Sequence, residues 1–384
     1  MMQKGASMRP AAIALALFSA AALVAQTPAP AGQNTPKKVF KDTKVIPYTP
    51  VDNQASSGTC WCFATVSFIE SEIIRKGRGE YNLSEMHLVR ATYPLRSLAY
   101  MRLHGAMDWG EGAQNTDALR AMSSVGLVPQ EAYTGLLPGQ KSHNHSELGR
   151  ALGGFLSGLK GGRGPLTSAW PAAVEGILDA YLGKPVTSFT YGGKTWTPQS
   201  FMKDNLQIDP SDYVSIGTFT LYAPYSRFRV ETPDNWSQDS SFINVPFNDF
   251  ASLLDTAIEK GYSYAIAADV SEPGFSMRKG YALLLDPDAK PEEEKEIATV
   301  TPEFRTAGFN DWRTTDDHSM HCVGTATDDK GNKFYLVKNS WGTEGSEYKG
   351  FLYISRNYML AKTLYITVHK DALPADMKAK LGIK

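Results

Sequence analysis

The segment from Trp61 to Lys76 reads WCFATVSFIESEIIRK, and apolar side chains recur on almost every face of the helix it would form. A helix that is apolar nearly all round has no surface to show to water, so it must be enclosed by other layers. With 384 residues, 42% of them hydrophobic and 11% aromatic, the chain is long enough to build those layers. Arg75, Lys76 and Gly77 supply a carboxyl-terminal stop. A polar turn, NQASSGT (Asn53 to Thr59), leads into the helix.

Charge narrows the range of partners. Lys and Arg number 39 against 40 Asp and Glu, and no run of five basic residues occurs, which argues against nucleic acid as a ligand. At the start, Lys4 and Arg9 precede an apolar run from Ala11 to Ala25. That run is shorter than the roughly 20 residues of a membrane span, and small residues follow it, so residues 1–25 read as a cleaved export signal. The mature protein is then expected in the periplasm or medium, with no membrane span.

Residues 26–44 form a Pro, Ala and Lys leader without periodicity, and the folded core is expected from near Val45. Helical patterns at Ser84 to Ala91 and Thr116 to Val125 make residues 45–134 a helical lobe. Residues 135–245, rich in Gly and Pro, read as an insertion or accessory region. Beyond it a helix from Phe250 to Lys260 precedes the β-runs YAIAADV, HCVGTATD, KFYLVKNS, GFLYISR and TLYITV, so residues 246–384 read as a β-rich lobe with a short tail. The fold class is α+β.

Three cysteines, Cys60, Cys62 and Cys322, leave at least one free thiol. At a helix amino terminus, Cys60 would meet unpaired amide N–H groups and the positive end of the helix dipole, both of which favour a thiolate. Cys62, some 200° further round the helix, points into the core. A thiolate nucleophile needs a base. His318 and His321 lie in DDHSMHCVGTATD, a strand in which they face opposite sides, so only one can serve. Opposed side chains do not share a zinc ion, and neither an HExxH nor a GxSxG motif occurs.

Three segments together carry a resemblance. NQASSGTCWCFA is similar to the nucleophile segment of papain-like cysteine peptidases, DHSMHCVG to their histidine strand, and VKNSWGTEGSEYKGFLYISR to their asparagine segment. LSEMHLV and GEGAQNTDAL resemble two more. The separation of Cys60 from His318 far exceeds the ~130–150 residues of the compact papain pattern, and GLVPQEAY and DYVSI resemble the bleomycin hydrolase or aminopeptidase C branch. Ser57 stands where papain has a disulfide-forming cysteine, and the short leader has no room for an inhibitory propeptide.

The resemblance implies a papain-like two-lobe fold, a helical lobe and a β-barrel-like lobe, with a large insertion. It implies Cys60 as nucleophile, His318 as base, Asn339 orienting His318, and Gln54 donating to the oxyanion. Trp341 would shield the His318 and Asn339 pair, Asp317 would support it, and Gly112 and Ala113 would bind the substrate backbone. Ala113 departs from the family's glycine pair. No metal or cofactor is implied, and peptide or protein substrates are; the resemblance is compatible with a homo-oligomer.

The family's aminopeptidases close their cleft with a carboxyl-terminal arm. Here DALPADMKAKLGIK after Lys370 is too short and reads partly as a helix, so an open groove cutting internal bonds is expected, with a strict aminopeptidase as the alternative. An acyltransferase or a peptide-binding module are further alternatives.

Overall fold

The computed structural model describes residues 38–107, 109–290 and 293–384, and these form one compact unit. The expected export signal lies outside them. Its companion, the leader to residue 44, is corrected at its end, because Phe40–Val45 is already a strand paired antiparallel with residues 324–328.

The helices are α1 (Cys60–Arg75), α2 (Glu85–Arg102), α3 (Asn115–Val125), α4 (Ser146–Lys160), α5 (Trp170–Leu182), a single turn α6 (Pro198–Ser200), α7 (Phe247–Glu259), α8 (Pro302–Asn310), α9 (Arg356–Lys362) and α10 (Ala375–Leu381). Every residue of α1 from Trp61 to Ile73 is buried, as its all-round apolar pattern requires. The helix starts where Thr59, at φ −108°, leaves helical geometry while its carbonyl still accepts the N–H groups of Cys62 and Phe63. Ser84 caps α2 by accepting from the His87 N–H.

The strands are β1 (Phe40–Val45), β2 (Phe189–Tyr191), β3 (Lys194–Trp196), β4 (Tyr213–Gly217), β5 (Arg227–Phe228), β6 (Phe242–Asn244), β7 (Tyr264–Ala268), β8 (Phe275–Ser276), β9 (Tyr281–Ala282), β10 (His318–Asp328), β11 (Lys333–Lys338), β12 (Phe351–Ser355) and β13 (Thr363–His369). Apart from the β2–β3 hairpin they join one sheet in the order β5-β6-β4-β13-β7-β10-β11-β12-β9-β8, with β1 beside β10. Side-chain alternation divides the core in two. Ala265 of β7 packs with α1 to α5, whereas its neighbour Ile266 packs on the other face with α7, α9 and α10.

Residues 135–245 are not a lobe apart, which corrects the expected boundary. Leu148, Leu152 and Leu156 of α4, with Val174, Leu178 and Leu182 of α5, form apolar stripes at helical spacing buried in the same cluster as α2. Further on, β4 pairs with β13 and β6 with β4, so this region also widens the main sheet. Its glycines fall inside elements as well as between them, four of them within α4.

Candidate active site

Cys60 is the first residue of α1 and is partly exposed, while Cys62 and Cys322 are fully buried. The turn before it is held on both sides. Gly58 N–H donates to Glu111 Oε2 at 2.7 Å, the Trp61 indole N–H donates to the Glu111 carbonyl at 3.0 Å, and Ser57 and Thr59 hydroxyls lie 2.6 Å apart. His145 Nδ1 also lies 3.3 Å from Glu111 Oε2. Glu111 therefore ties the turn before Cys60 to the Gly112 loop without a disulfide, a role that sequence reading missed although the residue stood inside a quoted segment.

The start of β10 stands over this end of α1, which the strand packs against along its length. His318 is the first residue of that strand. Its Nε2 lies 2.7 Å from Asn339 Oδ1, and the Ser340 N–H donates to the same oxygen at 2.8 Å. Because a backbone N–H only donates, the shared atom is an acceptor, and Nε2 must carry the imidazole hydrogen. Nδ1 is then the basic nitrogen, the one left for Cys60. The Trp341 ring covers the pair, 4.5 Å from the His318 ring, and Asn339 Nδ2 lies 3.3 Å from Met277 Sδ.

His321 faces α1, so strand face alone does not exclude it, contrary to expectation; it lies two helical turns below Cys60, where its Nδ1 meets Ser67 Oγ at 2.8 Å. Position along the strand, not the face alone, separates the two histidines. Asp317 is exposed and holds a loop: Oδ1 accepts the Val270 N–H at 2.8 Å and Oδ2 accepts from Thr315 Oγ1 at 3.3 Å.

Gln54 is buried at 6% exposure and locked at both ends of its amide. Nε2 donates to the Ser57 carbonyl at 2.8 Å and Oε1 accepts from Ser340 Oγ at 2.7 Å, while Gln54 N–H donates to the Ser340 carbonyl at 2.8 Å. The second Nε2 hydrogen is the one available to an oxyanion.

Burial pushes the Cys60 thiol up to about 12, with Asp234 and Asp316 adding to it, and the amides of Ser319 and Trp61 acting the other way. Burial also pulls the His318 imidazole down to about 4, against the Asn339 bond. Each group alone is therefore held neutral. A proton passed from sulfur to Nδ1 would form both charges together, each ion offsetting the desolvation of the other. Such a pair can attack an acyl carbon and protonate a leaving amine.

Gly112 and Ala113 border the site, and a Cβ placed on Gly112 would come within 2.1 Å of Asp234 Oδ2. Asp234 comes from the turn between β5 and β6, and nothing in the sequence marked it. Asp316 stands beside it, accepting from Gln114 Nε2 at 2.7 Å and Thr232 Oγ1 at 3.0 Å. Among the described residues no cluster of three His, Cys, Asp or Glu is arranged to hold a metal ion, and no helix is long and apolar enough to cross a membrane.

The model of the Peptidase C1-like family matches residues 189–383, just over half of the chain, and that of the papain family cysteine proteases matches residues 35–135. The chain belongs to the peptidase C1-like family. This cysteine peptidase is 23% identical over 380 residues to Aminopeptidase W of Lactobacillus delbrueckii subsp. lactis, covering 85% of this chain and 82% of that one. It is 25% identical over 376 residues to Aminopeptidase C of Lactococcus lactis subsp. cremoris, at 87% and 84% coverage. The peptidase shares its fold with the crystal structure of PepW from Lactobacillus rhamnosis HN001, at a TM-score of 0.69 and 19% identity over 89% of this chain and 84% of that chain. The papain-like α+β architecture expected from the motifs is the one observed.

Proposed function

We propose that this peptidase is an aminopeptidase that removes residues from the amino terminus of peptides through a Cys60 thioester. In the first half-reaction the Cys60 sulfur bonds to the scissile carbonyl carbon, the thiol proton passes to His318 Nδ1, and the C–N bond breaks as that proton reaches the departing amine. Water then adds to the thioester with His318 taking its proton, and the carboxylic acid leaves as the thiol reforms. Gln54 Nε2 and the Cys60 N–H stabilise the oxyanion in both halves, and Asn339 keeps the hydrogen of His318 on Nε2.

The observation that carries the exopeptidase reading is the carboxylate of Asp234 lying against the open face of Gly112. In this branch of peptidases an extended substrate backbone would pass there, so the groove expected to be open is filled on that side. The names of the relatives, Aminopeptidase W and Aminopeptidase C, support the same reading. One peptide offered with a free and with an acetylated amino terminus tests it. Cleavage of the free form alone is expected, and equal cleavage of both at an internal bond overturns it.

Endopeptidase cleavage is the second reading, favoured by the position of the tail. Met377 of α10 is buried with α7 on the sheet face opposite α1, and Leu381 and Ile383 pack there too, so the residues of α10 lie away from the cleft. Excess amine nucleophile with product analysis by mass spectrometry separates hydrolysis from acyl transfer. Export is proposed from the apolar run at Ala11 to Ala25, and amino-terminal sequencing of periplasmic or secreted material tests it.

A further inference from the structure

We propose that the Asp234 carboxylate is the anchor for the substrate's α-ammonium group, and that this side chain sets the cut one residue from the amino terminus. The inference rests on the aminopeptidase reading and names the residue that would enforce it.

Asp234 is held in place by a built turn. Asn235, 6% exposed, donates from Nδ2 to the carbonyls of Val230 at 2.9 Å and Asp239 at 3.0 Å, and its Oδ1 accepts the Asp239 N–H at 2.8 Å. The turn delivers the neighbouring carboxylate onto Gly112, where both oxygens lie within 2.4 Å of the place a Cβ would take. Only glycine admits that approach. Gly112 follows Glu111, whose carboxylate holds the Gly58 N–H two residues before Cys60, so anchor and nucleophile share one cleft.

The corner is well supplied with acceptors. Asp234 Oδ1 meets Arg96 Nη2 only at 3.9 Å, beyond hydrogen-bond length, and the Asp234 side chain keeps 36% of its exposure. Asp316 adds a second carboxylate, bonded to Gln114 and Thr232. Gln114 is 1% exposed, and its Oε1 is buried with no hydrogen-bond partner. A buried acceptor without a donor beside two carboxylates calls for a cation that brings its own hydrogens, and an ammonium group carries three.

Geometry selects which ammonium. The α-nitrogen of the residue being cleaved is two bonds from the scissile carbonyl carbon in every substrate, whereas side-chain cations differ in reach. With that nitrogen at Asp234, a preceding residue would have to run through the carboxylate, so one residue is released at a time. An acetylated terminus brings one N–H and no charge, and leaves the carboxylates desolvated against a neutral group.

The test uses the full-length enzyme, one pentapeptide with a free or acetylated terminus, and the variants Asp234→Asn, Asp234→Ala and Asp234→Glu. Wild type should release single residues from the free peptide only. Asp234→Asn should raise KM for that peptide by about tenfold or more, the scale of one charge-assisted hydrogen bond, with a smaller change in kcat. Asp234→Ala should admit the acetylated peptide and release dipeptides, and Asp234→Glu should restore part of the preference for the free amine. Unchanged thermal midpoints and unchanged far-UV circular dichroism establish that the variants are folded. Wild type cutting both peptides equally sinks the aminopeptidase reading itself. A selective wild type with an equally selective Asp234→Asn of unchanged KM overturns the anchor alone, as does wild-type cleavage of an acetylated peptide only when its first residue is lysine.

Discussion

Gln54 Oε1 accepts a hydrogen bond from Ser340 Oγ at 2.7 Å, joining the Gln54 amide to the segment that carries Asn339. The two parts of the site that lie furthest apart in sequence are thus set by one contact, reinforced by the Gln54 N–H to Ser340 carbonyl bond. Ser340→Ala should leave the backbone bond intact and free the amide to turn, lowering kcat about tenfold with little change in KM. Gln54→Ala removes the donor itself and should cost about 10²–10³ in kcat. Steady-state kinetics on one peptide check both, and a Ser340→Ala loss as large as that of Gln54→Ala would show that the hydroxyl does more than orient.

His318→Ala should lower kcat by about 10²–10⁴-fold, while His321→Gln should leave most of it. The second change has a different signature. Burial holds His321 neutral, its pKa well below the usual histidine value, beside Ser67. The unfolded chain binds a proton near pH 6.5 that the folded protein refuses, so this group's contribution is complete above that pH and is lost as pH falls. His321→Gln removes that titration. Its thermal midpoint should therefore gain on wild type between pH 7 and pH 5, measured by calorimetry; a gap that widens against the variant would reverse the sign.

What was legible in the sequence was whatever local pattern dictates. The burial of α1 and the alternation along β10 follow from periodicity, and Cys60, His318 and Asn339 came with motifs. The pairing of β4 with β13 was not legible, because its five residues carry no register signal of their own until the partner strand supplies one. Asp234 was invisible for a related reason: its importance comes from the Gly112 backbone beneath it, far away in sequence. Glu111 had a neighbouring motif, but only the fold shows Gly58 and His145 on its carboxylate.

Cys60 should be the only thiol alkylated by iodoacetamide in the native enzyme, since Cys62 and Cys322 are 0% exposed. Cys60→Ala should abolish turnover. Cys62 Sγ donates weakly to the Glu85 carbonyl at 3.4 Å, so Cys62→Ala should cost about 1 kcal/mol of stability with kcat retained. Peptide mapping by mass spectrometry identifies the labelled residue.

Glu111→Ala should release the Gly58 N–H and loosen the turn that presents Cys60, lowering kcat about tenfold. Glu111→Gln keeps an acceptor oxygen for that N–H and should recover much of the loss. Equal losses in the two variants would mean that the carboxylate charge, not the acceptor, is what matters.

Deleting residues 375–384 separates the tail from substrate selection. Met377 is 2% exposed within the cluster that includes Leu254 and Ile258, on the sheet face away from α1, and Lys380 Nζ donates to Tyr225 Oη at 2.9 Å. Removing α10 uncovers that apolar surface and should lower stability by about 2–5 kcal/mol, on the scale of deleting one large core side chain. The carboxylate at Gly112 belongs to Asp234 and is untouched by the deletion. A truncated enzyme should therefore still discriminate between free and acetylated peptides as wild type does, at a temperature well below its lowered midpoint. If truncation instead admits the acetylated peptide while Asp234→Asn does not, the terminus reaches the cleft in solution and the selectivity resides there.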